Sequence, residues 1–107
     1  MKAMISQPMN GKSDKEIRET REAAVKILEE LGFEVVDSYF TEDFEKRDDL
    51  KAYGVENPHV LFMAKSLDRM SMCNAVYFCL GWEKARGCRI EYEVAKAYGL
   101  EIIREEE

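Results

Sequence analysis

Apolar positions fall into short runs and helical stripes that alternate along the chain. Lys2 to Ser6 is apolar in its middle and is closed by Gln7-Pro8-Met9-Asn10-Gly11, the punctuation of a strand that enters a loop. Ser13-Asp14-Lys15-Glu16 then matches a capping box, with Ser13 as N-cap and Glu16 reaching back. Ile17, Ala24, Ile27, Leu28 and Leu31 recur at helical spacing, and Glu19, Glu22, Lys26 and Glu29 fill the wet side. Gly32 is placed to close that helix, and Phe33 to Asp37 reads as a second strand. Thr41 to Glu56 is dense in charge and reads as a solvated excursion, either one wall of a pocket or a surface loop. Asn57-Pro58 marks a new helix start, with Val60, Met63, Leu67 and Met70 on one face. Ala75 to Leu80 is a continuous apolar run, as expected of a strand covered on both sides. After a Gly- and Trp-containing loop, a last helix runs to Gly99, and Leu100 to Ile103 makes a last strand before the polar Arg104-Glu105-Glu106-Glu107.

This β-α-β-α-β-α-β alternation predicts parallel strands, right-handed crossovers and helices on both faces. The expected architecture is a three-layer α/β/α domain of flavodoxin-like type, with a small parallel sheet in the order 2-1-3-4. The chain has 107 residues, so one domain over 1–107 is expected.

Composition narrows the function classes. Lysine plus arginine number 16 against 22 aspartates and glutamates, a net charge of −6, which disfavours nucleic acid polymers and anionic membranes as partners. A single nucleotide is not disfavoured, because backbone amides can hold one phosphate on an acidic protein. Cys73, Cys79 and Cys88 lack paired-ligand spacing and there is one histidine, so reduced thiols in a cytoplasmic protein are expected and no metal or cofactor is called for. No apolar run approaches a membrane span.

Candidate chemistry gathers between Asn74 and Gly99. In an open α/β sheet, ligands bind outside the carboxyl ends of the strands, where the Gly81-Trp82 loop is expected. At about 100° per residue, Ile90, Val94, Ala97 and Tyr98 form one stripe of the last helix, expected to face the core. Glu91 lies on its margin, Glu93 beyond the opposite margin, and Tyr92 is expected to point outward. Glu91 is therefore the carboxylate expected to be half covered, near a helix entrance whose dipole favours its ionised form. The competing reading makes Glu91 and Glu93 solvated residues of a first turn. Ser6, Gln7, Asn10 and Gly11 offer a hydroxyl, amides and open backbone before a helix N-terminus, suited to a phosphate or sugar, or simply forming a turn. Trp82 offers a flat surface for a nucleobase, or packing in a core or interface. Arg86 and Arg89 suit an anionic ligand or surface ion pairs, and His59 is read as structural or exposed.

Taken together, Ile5-Ser-Gln-Pro-Met-Asn-Gly11, Cys73-Asn-Ala-Val-Tyr-Phe78, Gly81-Trp82 and Ala85-Arg-Gly-Cys-Arg-Ile-Glu91 resemble the nucleoside 2-deoxyribosyltransferase superfamily, in particular its small bacterial and phage members. The resemblance covers nearly the whole chain; its most specific part is the Gly-Trp loop followed by Gly87 and a glutamate four residues on. It implies the same flavodoxin-like fold, homo-oligomers of two or more subunits, and a nucleoside or nucleotide as the small-molecule partner. It further implies cleavage of an N-glycosidic bond, with Glu91 attacking the anomeric carbon and water or a second base resolving the glycosyl-enzyme. Ser6 to Gly11 would hold the sugar or its phosphate. Two positions depart from the pattern. Ser66 stands where the family's enzymes carry an aspartate that serves the leaving base and sugar, and Asp68 is turned away from it by about 200°. Asn74 stands where an aspartate is common. Two functions follow as expectations: a transferase or N-glycosidase with Glu91 as nucleophile, or a non-catalytic protein that senses or sequesters a nucleotide-derived ligand. A structural oligomer with a decayed pocket is a third.

Overall fold

A computed structural model of the chain describes residues 1–36 and 54–106. Four parallel strands, β1 (Lys2–Ser6), β2 (Glu34–Val35), β3 (Ala75–Phe78) and β4 (Glu101–Arg104), form a sheet in the order β2-β1-β3-β4. The described α-helices are α1 (Asp14–Glu30), α2 (Pro58–Met70) and α3 (Arg86–Ala97). The α/β class and the 2-1-3-4 order therefore hold. Among the described residues, no helix is long and apolar enough to cross a membrane. Asp37, Phe44, Tyr53 and most of the Thr41–Glu56 excursion lie outside the described residues.

Strand alternation sorts the core into two layers. Ala3, Ile5, Ala75, Tyr77 and Cys79 pack with Ala24 and Leu28 of α1. Met4, Val76 and Phe78 turn to the other side, with Met70 of α2 and Ala95 of α3. The two central strands β1 and β3 run in register, Ala3 beside Ala75 through to Ser6 beside Phe78.

Local signals fix the helix ends. The Ser13 hydroxyl accepts from the Glu16 amide at 3.1 Å, and the Glu16 carboxylate accepts from the Ser13 amide at 3.4 Å. At the far end Phe33 N–H donates to Leu28 O and Gly32 N–H to Glu29 O, each at 3.0 Å, a Schellman closure that needs the positive φ of Gly32, +89°. Asn57 Oδ1 accepts from Val60 N–H at 3.3 Å, and Pro58 opens α2.

Several expectations shift. Ile27 and Leu31 of the α1 stripe, Val60 of the α2 stripe and Leu80 at the end of the apolar run are exposed. The second strand is trimmed to Glu34–Val35, and the last strand sits one residue later than its apolar run, which brings Arg104 into the sheet. The larger change concerns α3. Its buried residues are Cys88, Glu91 and Ala95, whereas Ile90 and Tyr98 are 42% and 80% exposed. Of the stripe expected in the core, Ile90, Ala97 and Tyr98 point away from it, while Val94 is half-buried against the Met4, Val76 and Phe78 layer. Small side chains explain the reversal: Ala95, with no exposed surface, lets the helix approach the sheet more closely than an Ile or Tyr at that point would.

Candidate functional site

The site forms where β1 and β3 end. Ser6 shares its face of the sheet with Met4, so it looks toward α3, and it is 1% exposed. Cys79 N–H donates to Ser6 O at 3.0 Å, extending the pairing of the two strands past Ser6. From α3, Glu91 comes in over this point, and the Ser6 hydroxyl donates to Glu91 Oε1 at 2.9 Å across 85 residues of sequence.

Glu91 is 7% exposed. Among the described residues its hydrogen-bond partner is Ser6, and no cation is paired with it. Burial pushes its carboxyl from the ordinary 4.5 up to about 7, and the Ser6 hydrogen bond opposes that rise. The expected half-covered residue at a helix entrance needs correction in two respects. Glu91 is buried, and α3 begins at Arg86, so Glu91 stands in its second turn. The dipole effect fades within the first turn, and desolvation governs the carboxylate instead. Glu93 is exposed, and the reading that makes both glutamates solvated fails for Glu91.

Two buried thiols lie near this site, Cys88 on α3 and Cys79 just past β3 on the α1 side of the sheet. Cys88 is raised to about 11 by burial and by the Glu91 charge, with Ser6 acting in the opposite direction. Cys79 is pushed up to about 12 by burial and by the Glu105 charge. Both are protonated at neutral pH, so neither is a nucleophile there. Cys73 is half-buried and also raised by burial.

The remaining predicted residues fall into three sets. Gln7 Nε2 donates to Ile17 O at 2.6 Å, which spends part of the amide on anchoring the loop to α1. Asn10 and Gly11 are exposed in a turn closed by Lys12 N–H to Met9 O at 3.2 Å. Gly81 has φ +88°, and a Cβ there would stand 3.7 Å from Pro8 Cγ, so the loops after β1 and β3 touch. Gly87 belongs to packing: a Cβ there would lie 3.6 Å from Met63 Cε of α2. Ser66, half-buried, is one turn further along α2 from Met63.

Trp82 opens a short 3₁₀ turn, Trp82–Lys84, and is half-buried. Tyr92 stacks on it with ring centroids 4.5 Å apart and planes 21° apart, and Phe78 closes the cluster at 5.4 Å from Trp82. Tyr92 is therefore turned inward, and it occupies one face of the indole. Arg86, Arg89 and His59 are exposed, and Arg89 Nη1 donates to Glu83 O at 3.2 Å. Asn74 Oδ1 accepts from Lys2 N–H at 2.9 Å at the opposite end of the strands, so its departure from the family pattern leaves the site untouched.

Two participants escaped the sequence reading. Glu105 belongs to the supposed polar tail, yet its N–H donates to Phe78 O at 2.9 Å and its Oε2 accepts from Leu80 N–H at 2.7 Å. No local pattern announces such a contact. The other is an open groove of about 690 Å³ on the outside of α3, lined by Trp82, Arg89, Ile90, Val94 and Tyr98 among others; neither Glu91 nor Ser6 lines it.

A family model described as a domain of unknown function, DUF4406, matches residues 1–104. No curated protein and no solved structure matches the chain. The chain belongs to the DUF4406 family.

Proposed function

We propose that this DUF4406 member cleaves the N-glycosidic bond of a nucleoside or nucleotide, as a deoxyribosyltransferase-like enzyme or N-glycosidase, with Glu91 as nucleophile. The observation that carries the reading is the Glu91 carboxyl, buried with no paired cation among the described residues and held by the Ser6 hydroxyl at the carboxyl end of a parallel sheet. A carboxylate kept there costs stability, and such costs concentrate at working sites. The resemblance in the loops around it supplies the substrate class.

In this reading Ser6 holds Oε1, and Oε2 is the oxygen offered to the anomeric carbon. Attack forms an ester between Glu91 and C1′, and the C1′–N bond breaks with its electron pair leaving on the base nitrogen, which takes up a proton. Water then adds to C1′ and gives up a proton, and the ester C1′–O bond breaks to return the Glu91 carboxylate. The sum is nucleoside plus water giving free base plus pentose; a second base in place of water gives transfer. Only ionised Glu91 attacks, so base release rises as pH passes through about 7.

Ser66 favours a second reading, a pocket that binds a nucleotide-derived ligand without turnover. A hydroxyl on α2 can hydrogen-bond a ligand but does not protonate a leaving base, and loss of a general acid costs about 10²–10⁴-fold in rate. Incubation of the protein with deoxynucleosides and their monophosphates, assayed for free base, separates the two. Base release that is lost in Glu91→Gln and in Glu91→Ala supports the enzyme. Saturable binding by calorimetry without release supports the binder, and neither result removes both.

A further inference from the structure

We propose that Cys88 is a positioning residue for the Ser6–Glu91 pair: its thiol donates to the Ser6 hydroxyl oxygen and so holds the Ser6 proton on Glu91 Oε1. The inference deepens the proposed function, on which its catalytic consequence rests; the contact itself is measurable without turnover.

Three buried groups converge here. Cys88 and Glu91 stand one turn apart on the inner side of α3, 3% and 7% exposed. A helical side chain leans toward the N-terminus of its helix, so the Glu91 carboxyl lies over the turn that carries Cys88. Ser6, 1% exposed at the end of β1, meets Glu91 Oε1 at 2.9 Å. Burial is the main influence on the Cys88 thiol, and the next two are a hydrogen bond with the Ser6 side chain and the Glu91 charge. Cys79, the other thiol in range of Cys88, belongs to the α1 side of the sheet.

Donor counting sets the direction of the relay. Ser6 has one hydroxyl proton and directs it to Glu91, which leaves the hydroxyl oxygen free to accept. Ionised Glu91 only accepts. The thiol keeps its proton at neutral pH, so it is the member of the three with a proton still to donate. Linked in this order, each hydrogen bond polarises the next, and the ionised carboxyl gains the benefit. A thiol is also a small apolar group, so packing alone is the rival account of Cys88. The two accounts separate cleanly: packing depends on volume at this position, the relay on a donor that acts through Ser6.

Carbon-13 titration of the Glu91 carboxyl tests this in Cys88→Ser and Cys88→Ala, which leave nearly the same space and differ by one donor. Glu91 is expected to titrate about half a pH unit or more higher in Cys88→Ala than in Cys88→Ser. With Ser6→Ala added, the two variants are expected to titrate alike, because the relay runs through Ser6. A second measurement keeps Cys88 in place and serves even where a Cys88 variant fails to fold. The S–H stretching band, lowered by hydrogen bonding in the parent, is expected to move up in Ser6→Ala. Equal midpoints in Cys88→Ser and Cys88→Ala overturn the proposal, as does a difference that persists without Ser6 or an S–H band that stays in place. Base release reports on the proposed function separately. A relay that passes these tests in a protein that frees no base survives the loss of the enzyme; base release with equal midpoints leaves the enzyme and removes the relay.

Discussion

The inner and outer sides of α3 invert the usual division of a surface helix. The inner side carries Cys88, Glu91 and Ala95, an acid between two small residues, and is sealed against the sheet. The outer side carries Ile90 and Tyr98, which face solvent, while Val94 at its edge is half-buried against the core. Hydrophobicity alone would turn the helix the other way. Close packing on β3 and the hydroxyl of Ser6 set the actual orientation, which seals the acid inside and leaves Ile90 and Tyr98 exposed.

Removal of the acid is the most severe way to break this contrast. Under the proposed function, Glu91→Gln or Glu91→Ala lowers base release by roughly 10³-fold or more, the scale on which loss of a covalent nucleophile registers. Glu93→Gln on the exposed side leaves it nearly unchanged; the reverse outcome would sink the assignment of the nucleophile.

Stability supplies the next test, and its sign is opposite. The folded Glu91 carboxyl is raised from 4.5 to about 7, so the folded chain holds its proton more tightly than the unfolded chain does. This favours folding fully below about pH 4.5, and the benefit is lost as pH rises through about 7. Glu91→Gln, neutral at every pH, is expected to unfold at higher denaturant than the parent at pH 8, by up to roughly 3 kcal/mol. The gain shrinks toward zero near pH 4. A variant less stable than the parent at pH 8 would mean that a partner compensates the charge.

Packing distinguishes the sides more gently. Ala95→Leu inserts volume where no surface is exposed and is expected to cost about 1–3 kcal/mol in denaturant unfolding. Ile90→Ser, measured on dilute protein, is expected to stay within about 0.5 kcal/mol. Equal costs at the two positions would show that the outer side is covered within the chain.

Ser6→Ala makes the finest cut. It removes the donor that opposes desolvation at Glu91, so the acid limb of base release moves to higher pH while plateau activity above it falls by about tenfold or less. A carbon-13 titration of the Glu91 carboxyl reads the same upward move whether or not the protein turns over substrate. An unmoved titration would reduce the Ser6 contact to packing.

Much of the frame was legible because its causes are local. The Ser13–Glu16 box, the Gly32 closure and the Asn57-Pro58 start each act within a few residues, and the apolar runs with their spacing imply the parallel order. The face of α3 was not legible. Its apolar residues form two stripes, and periodicity states how residues group without saying which group meets the sheet. The larger stripe looked like the core stripe, although smaller side chains fit closer to the strands. Glu91 was singled out for resemblance and position, yet its bond to Ser6 spans 85 residues and no spacing rule reaches that far. The dipole argument failed for a simpler reason: the helix starts at Arg86.

The contact between Glu105 and Leu80 carries a practical warning for anyone who trims this chain. Cutting before Glu105 deletes the carboxylate that receives the Leu80 amide and the amide that caps the Phe78 carbonyl. The segment just upstream of Trp82 would lose its brace, so a shortened version can keep its sheet while presenting a differently shaped rim to whatever approaches Glu91.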